Sequence, residues 1–583
     1  MLRGFRWQAL VLLMAAILFS LSLINRQSSP PPVAATPTPQ ATTAVPSATP
    51  LPAPTAAPQV NAPVNIPTFR EAVVGSIQRL NPLFASLNPV DADITALIFE
   101  GLTRINAFGE PVPGLASSWV ISSDGLEYIF RLRGDVRWHD GLPFSADDVI
   151  YTFSLLQSSD FPGDPALGAF WRTVEVERLD TGLVRFRLTQ PLGNFLDAMS
   201  IGILPEHALR GTTARQIASH PFNLSPIGTG PYQLEALRAD DGGALQGVDL
   251  RVSPNFRERP EAANRYAVDR LSFRLYPSFD AALAARQSGE VDGLAGQTRE
   301  QRDALLSLPN TAVYTSPQPI TGMLIYNWQQ DSTAYFREQR VRIALQTALD
   351  RHAIIARYSA TLGVMPADSP LIPGSWGYSG ALPWPPPNLD AARSLLETAN
   401  LRRGESEATE EPSSSGLLSF SILTPNEPAA LVSAVQEIAA QWSQMNISVS
   451  VEAVDAATYQ ARLEAGTFDV ALVELSLAGS ADPDIYQFWD QAEYPDGKNY
   501  GGMDDRRVIE ELERARRDPF GINRAIRYQN FQHIFIERAI AIPLYYPLYT
   551  YATAAGVSGV QLGYSATPAS RFVTIADWQI AGQ

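Results

Sequence analysis

The 583-residue chain has no cysteine, a single lysine (Lys498) and five histidines. Without cysteine there is no disulfide, no thiolate metal site, no thiol nucleophile and no lipid anchor on sulfur. The other cations are arginines, and they form no dense run. With a formal net charge of −16 and a pI of about 4.9, the balance argues against nucleic acid, whose binding relies on cations neutralising phosphates. Long apolar runs are equally scarce. The conspicuous one is ALVLLMAAILFSLSLI, Ala9 to Ile24, behind Arg3 and Arg6. A basic start followed by an apolar stretch reads as an export segment. At sixteen residues it is short for a membrane span, which takes roughly 20. Residues 1–27 are therefore expected to be a signal peptide, cleaved near Ser20-Leu21-Ser22, or an N-terminal membrane anchor. Either way the rest of the chain is expected outside the cytoplasmic membrane, in the periplasm or on the outer membrane face.

Residues 28–67 are mostly Pro, Ala and Thr (SSPPPVAATPTPQATTAVPSATP and onward). Such a segment has little to bury and is expected to be a semi-extended, disordered linker. At about 3.1 Å per residue, roughly forty residues reach on the order of 120 Å if polyproline-like. A second biased stretch, GESEATEEPSSSG from Gly404 to Gly416, is acidic and Ser-rich and reads as a mobile surface insertion.

From Thr68 onward the chain mixes two periodicities. Tyr128–Leu132, Val184–Leu188 and Leu271–Leu275 alternate as half-buried strands do. Val341–Tyr358 carries one apolar stripe (Val341, Ala344, Leu345, Ala348, Leu349, Ile355), and Ala429–Met445 reads the same way, so both are expected helices. Intermingled strands and helices give an α/β or α+β class. The length exceeds what one hydrophobic core organises, so at least two lobes are expected.

The stretch RLRGDVRWHDGLPFSADDVIYTF, Arg131 to Phe153, places His139-Asp140-Gly141 between a strand and a helix start. The local chemistry is that of a scaffold. Gly141 suits a turn, Ser145 is a good N-cap, Asp147 and Asp148 favour the positive helix end, and Val149, Phe153 and Leu156 form a buried stripe. Catalysis at His139 would need a nucleophile and an orienting group that the neighbours do not supply. Gly228-Thr229-Gly230 lacks the spacing of a P-loop or a dinucleotide loop and reads as a structural turn. Arg342 and Asp350 read as a helix-surface or lobe-packing pair.

The segment Gly114 to Phe153 resembles the signature of the family 5 extracellular solute-binding proteins, the oligopeptide-, dipeptide- and nickel-type receptors of ABC importers. The matching residues include Leu115, Ala116, Trp119, Asp124, Gly125, Tyr128, Phe130, Leu132, Arg133, Val136, His139, Asp140, Gly141, Pro143, Ala146, Asp148 and Val149. IGTGPYQLE (Ile227–Glu235), AALAARQSGEVDGL (Ala281–Leu294), NLDAARSLLETANL (Asn388–Leu401), FDVALVELSLAGSADPDIYQF and IPLYYPLYTYA follow in the family's order. The resemblance implies a two-lobed periplasmic-binding-protein-like fold of class II, with the solute between the lobes. Lobe I would span 68–275, with an extra subdomain at about 106–190. Lobe II would span 276–478, with crossovers near 271–277 and 470–479, and 479–583 would return to lobe I.

The same resemblance implies a receptor, expected to be monomeric, that captures a peptide or related small solute by hinge closure and hands it to the permease subunits. No catalytic residue, cofactor or metal is expected. Sugar and nickel-chelate binding, a membrane-tethered sensor and an extracellular hydrolase stand as alternatives; no Gly-x-Ser-x-Gly elbow favours the last. Candidate ligand-binding residues are Asn81, Phe84, Tyr326, Asn327, Trp328, Asp482, Tyr486, Tyr545 and Tyr546. One departure stands out. The acidic position that pairs with a peptide's ammonium in peptide-binding relatives falls on Gly479, leaving Asp482 and Asp484 as substitutes.

Overall fold

The computed structural model describes residues 66–259, 265–399, 418–564 and 566–581. The export segment, all of the linker but its last two residues, and the acidic insertion lie outside the described residues. Among the described residues no helix is long and apolar enough to cross a membrane.

The alternating segments form strands. Glu127–Leu132 pairs with Ala116–Ile121 and Leu183–Arg187, and Glu175–Asp180 completes a four-stranded antiparallel sheet. This sheet lies within residues 106–190, where the extra subdomain is expected. The capping residues predict the helix that follows. Ser145 accepts from the Asp147 N–H, and Asp148 returns a bond to the Ser145 N–H, over Ala146–Gln157. Val149, Phe153 and Leu156 are fully buried beneath it.

A twelve-stranded sheet runs through both lobes. Its axis is the fourteen-residue strand Ala541–Ala554. The first part of that strand pairs with Ile320–Tyr326 and Val364–Pro366. Its last part pairs with Gly293–Gly296 and Thr311–Pro317. Gly293–Gly296 continues to Thr68–Val74, which pairs in parallel with Arg270–Tyr276. On the other side Ile320–Tyr326 continues to Val470–Ser476 and then to Leu418–Pro425.

Apolar clusters divide the described residues. One core joins Met323 through Leu477 to Ile485 through Tyr545. Another joins Phe69 through Phe273 to Tyr549 through Trp578, and a third packs Ala282, Leu294 and Leu305 against Ala72 and Ala552. Residues 279–308 pack in a cluster with Ala72 and Ala552, and residues 485–545 in the cluster that holds Met323 through Leu477. The chain passes between clusters within continuous sheet, at the Thr311–Pro317 to Ile320–Tyr326 step and inside Ala541–Ala554. No composition change marks either place.

The stripe at 341–358 is broken into two helices, Gln339–Thr347 and Arg351–Leu362. Asp350 caps the second through the Ala353 N–H. Arg342 is not its partner. It is buried and donates to the carbonyls of Phe336, Arg337, Arg538 and Ala539.

Candidate functional site

The two glycine-bearing motifs hold each other. His139 Nδ1 accepts from the Gly228 N–H at 3.1 Å, and its Nε2 lies 3.0 Å from the Gly230 carbonyl. The His139 N–H donates in turn to the Gly228 carbonyl at 2.9 Å. One nitrogen accepts and the other donates, which fixes a neutral ring and its tautomer. Burial lowers the His139 pKa to about 4. Gly228 and Gly230 allow the close approach that follows: a Cβ on Gly228 would meet the Ile98 carbonyl oxygen at 1.8 Å, and one on Gly230 the Leu97 oxygen at 2.5 Å. His139 is a clasp between two loops.

A roomier cavity lies elsewhere. A cavity of about 410 Å³ is lined by Arg299, Glu300, Glu427, Pro428, Glu474 and Tyr545, with Leu362, Val364, Leu431 and Pro547. That volume is within the range of small-molecule sites. Arg299 and Glu300 begin the helix Arg299–Leu306, whose Leu305 packs in the cluster of Ala72 and Ala552. Val364, Leu431 and Tyr545 belong to the core of the other lobe. The walls therefore come from both lobes, at the strand they share.

Its chemistry is uneven. Arg299 stands 3.5 Å from Asp303 one helical turn on. Thr298 caps that helix, and the Glu300 carboxyl is held below its usual range by its own backbone N–H and by the Thr298 hydroxyl. Glu474 accepts from the Tyr545 hydroxyl at 2.9 Å. Protein packed around Glu474 raises its carboxyl pKa, and the Tyr545 bond opposes that rise. The residue is nevertheless exposed to solvent. The lining thus combines five apolar residues with one arginine, three glutamates and one tyrosine.

The family model of bacterial extracellular solute-binding proteins, family 5, matches residues 110–496, more than half of the chain. The chain belongs to this family. Among its curated relatives, the dipeptide-binding protein of Escherichia coli K12 is 26% identical over 454 residues, covering 73% of this chain and 79% of its own length. The oligopeptide-binding protein AppA of Bacillus subtilis is 25% identical over 537 residues, covering 88% and 92%. Among solved structures, HbpA2 of Haemophilus parasuis superposes with a TM-score of 0.71 at 20% identity, over 88% of this chain and 99% of its own. The two-lobed fold expected from the sequence is thus established.

In this solute-binding protein the nine expected site residues scatter. Tyr545 alone among them lines the large cavity. Tyr326 and Trp328 line a second space of only about 10 Å³ inside one lobe, with Leu475, Phe488 and Trp489. The Tyr326 hydroxyl is buried there without a hydrogen-bond partner. Arg342 lies 4.2 Å over the Trp328 ring. Asn327 ties down backbone: its amide donates to the carbonyls of Gly466 at 2.8 Å and Phe468 at 2.9 Å, and its oxygen accepts from the Gln329 N–H. Asn81 is equally occupied. It caps Pro82–Leu87 through the Leu83 N–H and donates to Asn223. Phe84 is buried and stacked on Phe161 at 6.0 Å.

Asp482 is fully buried against Arg524, with ion-pair oxygen and nitrogen 2.6 Å apart, and accepts from the Tyr528 hydroxyl. Tyr486 carries Arg516 over its ring at 4.2 Å. The Tyr546 hydroxyl lies 2.8 and 2.9 Å from the carbonyls of Ser369 and Leu371 and accepts from the Ser369 N–H. Gly479, with φ +88°, is open on its Cα side. Asp484 pairs with Arg516 at 2.8 Å. Both acidic substitutes for the Gly479 position are thus already paired with arginines. Glu474, Glu300 and Glu427 did not stand out in the sequence. The available signal was one charge inside VALVELS, an otherwise apolar strand.

Proposed function

We propose that this family 5 protein is the extracytoplasmic receptor of an ABC importer, that its solute is a short peptide or a related small molecule, and that it captures this solute in the 410 Å³ cavity. The observation that carries the reading is a cavity walled by two separate apolar cores where one strand serves both. A guest touching both walls stabilises the closed arrangement by its differential affinity for it, and no bond is made or broken. The lobes hinge at residues 317–320 and 546–549, where the chain leaves one core for the other. Lobe I then comprises 66–316 and 549–581, and lobe II 320–546. The names of the curated relatives, dipeptide- and oligopeptide-binding, support peptide as the solute class. The protein works as a monomer, exported by its N-terminal segment and held at the membrane where that segment is retained, and delivers its guest unchanged to the permease subunits.

Native mass spectrometry of the full chain, purified without refolding, tests this. A co-purified or added peptide bound one to one and released intact on unfolding is the expected result. Solute turnover, or no binding of any short peptide at millimolar concentration, refutes it.

A further inference from the structure

Three strands meet in register beside the cavity. Glu474 pairs with Gly322, and Gly322 pairs with Tyr545. Because Gly322 has no side chain, the Tyr545 ring lies across it; a Cβ there would stand 2.3 Å from the ring. The tyrosine thereby reaches two strands over and donates to Glu474 Oε1. This rung sets one carboxylate in the cavity wall and holds it by one oxygen.

That carboxylate has no cationic partner, whereas some buried acids of the chain do: Asp482 has Arg524, Glu71 and Asp93 share Arg571, and Glu100 has Arg257. Among the described residues no Arg, Lys or His forms an ion pair with Glu474, Glu300 or Glu427, and Arg299, the cation on the same wall, sits beside Asp303. Glu474 is solvent-exposed, so its charge is tolerated without a protein partner and is available to form a charge-assisted hydrogen bond with a cationic guest. The surplus of acid also disfavours anionic solutes by like-charge repulsion.

We propose that Glu474 is the residue that reads charge in this cleft: its free oxygen takes a cationic group of the solute, an ammonium or a guanidinium, while Tyr545 holds the carboxylate in place. The proposal rests on the reading of the cavity as the solute site. It places charge recognition five residues before Gly479 on the same segment.

The test uses alanine-based peptides of two to five residues in four sets: free or acetylated N-terminus, each with or without one internal lysine. Affinities are measured by calorimetry for the full chain and for Glu474→Gln, whose amide oxygen still accepts from Tyr545. The free-amine peptides, the lysine peptides or both are expected to bind at least tenfold more tightly than acetylated, lysine-free ones. Which set wins identifies the N-terminal ammonium or the side chain as the source. Glu474→Gln is expected to abolish that preference while the thermal midpoint without peptide stays unchanged. Equal binding of the acetylated lysine-free set, or an undiminished preference in Glu474→Gln, overturns the assignment of Glu474 and leaves the receptor reading standing. Failure of every set to bind removes both.

Discussion

Replacing His139 by glutamine isolates the clasp between the two loops. Glutamine offers an acceptor and a donor but does not titrate. At pH 7 the substitution weakens the bonds to the Gly228 N–H and the Gly230 carbonyl, a loss of about 2 kcal/mol at about 1 kcal/mol each. Acidification acts on the native protein alone. The folded-state pKa of about 4 lies below the ordinary 6.5, so the unfolded chain takes up the proton first. The stability contribution is full above pH 6.5 and is lost as pH falls through that value toward 4. About 2 kcal/mol is gone by pH 5 and about 3 kcal/mol by pH 4. The gap between the native protein and His139→Gln should therefore shrink from about 2 kcal/mol at pH 7 to near zero at pH 5. Urea unfolding followed by tryptophan fluorescence measures it, with the buried Trp138 next along the chain. A gap of the same size at both pH values, or a ring that titrates near 6.5 by NMR in the folded protein, refutes the argument.

Gly228→Ala drives a methyl into the Ile98 carbonyl and is expected to cost at least about 3 kcal/mol, seen as a much lower urea midpoint. Arg524→Met leaves the Asp482 carboxylate buried without its cation. The expected loss is about 3–5 kcal/mol, and a variant as stable as the native chain in urea contradicts it. Tyr545→Phe removes the hydroxyl that opposes the raised Glu474 pKa, so affinity for a cationic peptide, which falls with acidification, should begin to fall at a higher pH; calorimetry across pH 5 to 8 checks this.

Local chemistry was legible in the sequence where a residue acts on its immediate neighbours. Ser145, Asp148 and Gly141 could be assigned as cap, favourable charge at the helix start and turn because their partners lie within a few residues. The pairing of His139 with Gly228 joins positions 89 residues apart, and no periodicity encodes it. The helix break at Asp350 was hidden because the apolar stripe resumes in phase beyond it. Lobe boundaries are hard to read from sequence because a strand crossing between cores looks like any other buried strand. The binding candidates favoured polar and aromatic residues, and folding uses most of these as caps and anchors, Asn327 and Asn81 most plainly. Glu474 needed a lateral view: its meaning comes from Gly322 and Tyr545, each on a different strand.

The strand Ala541–Ala554 has a consequence for any attempt to dissect the molecule. Dividing the chain into its two halves would strand this ribbon in one fragment and leave the other with an unpaired edge of backbone donors and acceptors, a template for self-association. The halves are distinct as packing units yet inseparable as products of expression, since each finishes its sheet with backbone that the other also owns.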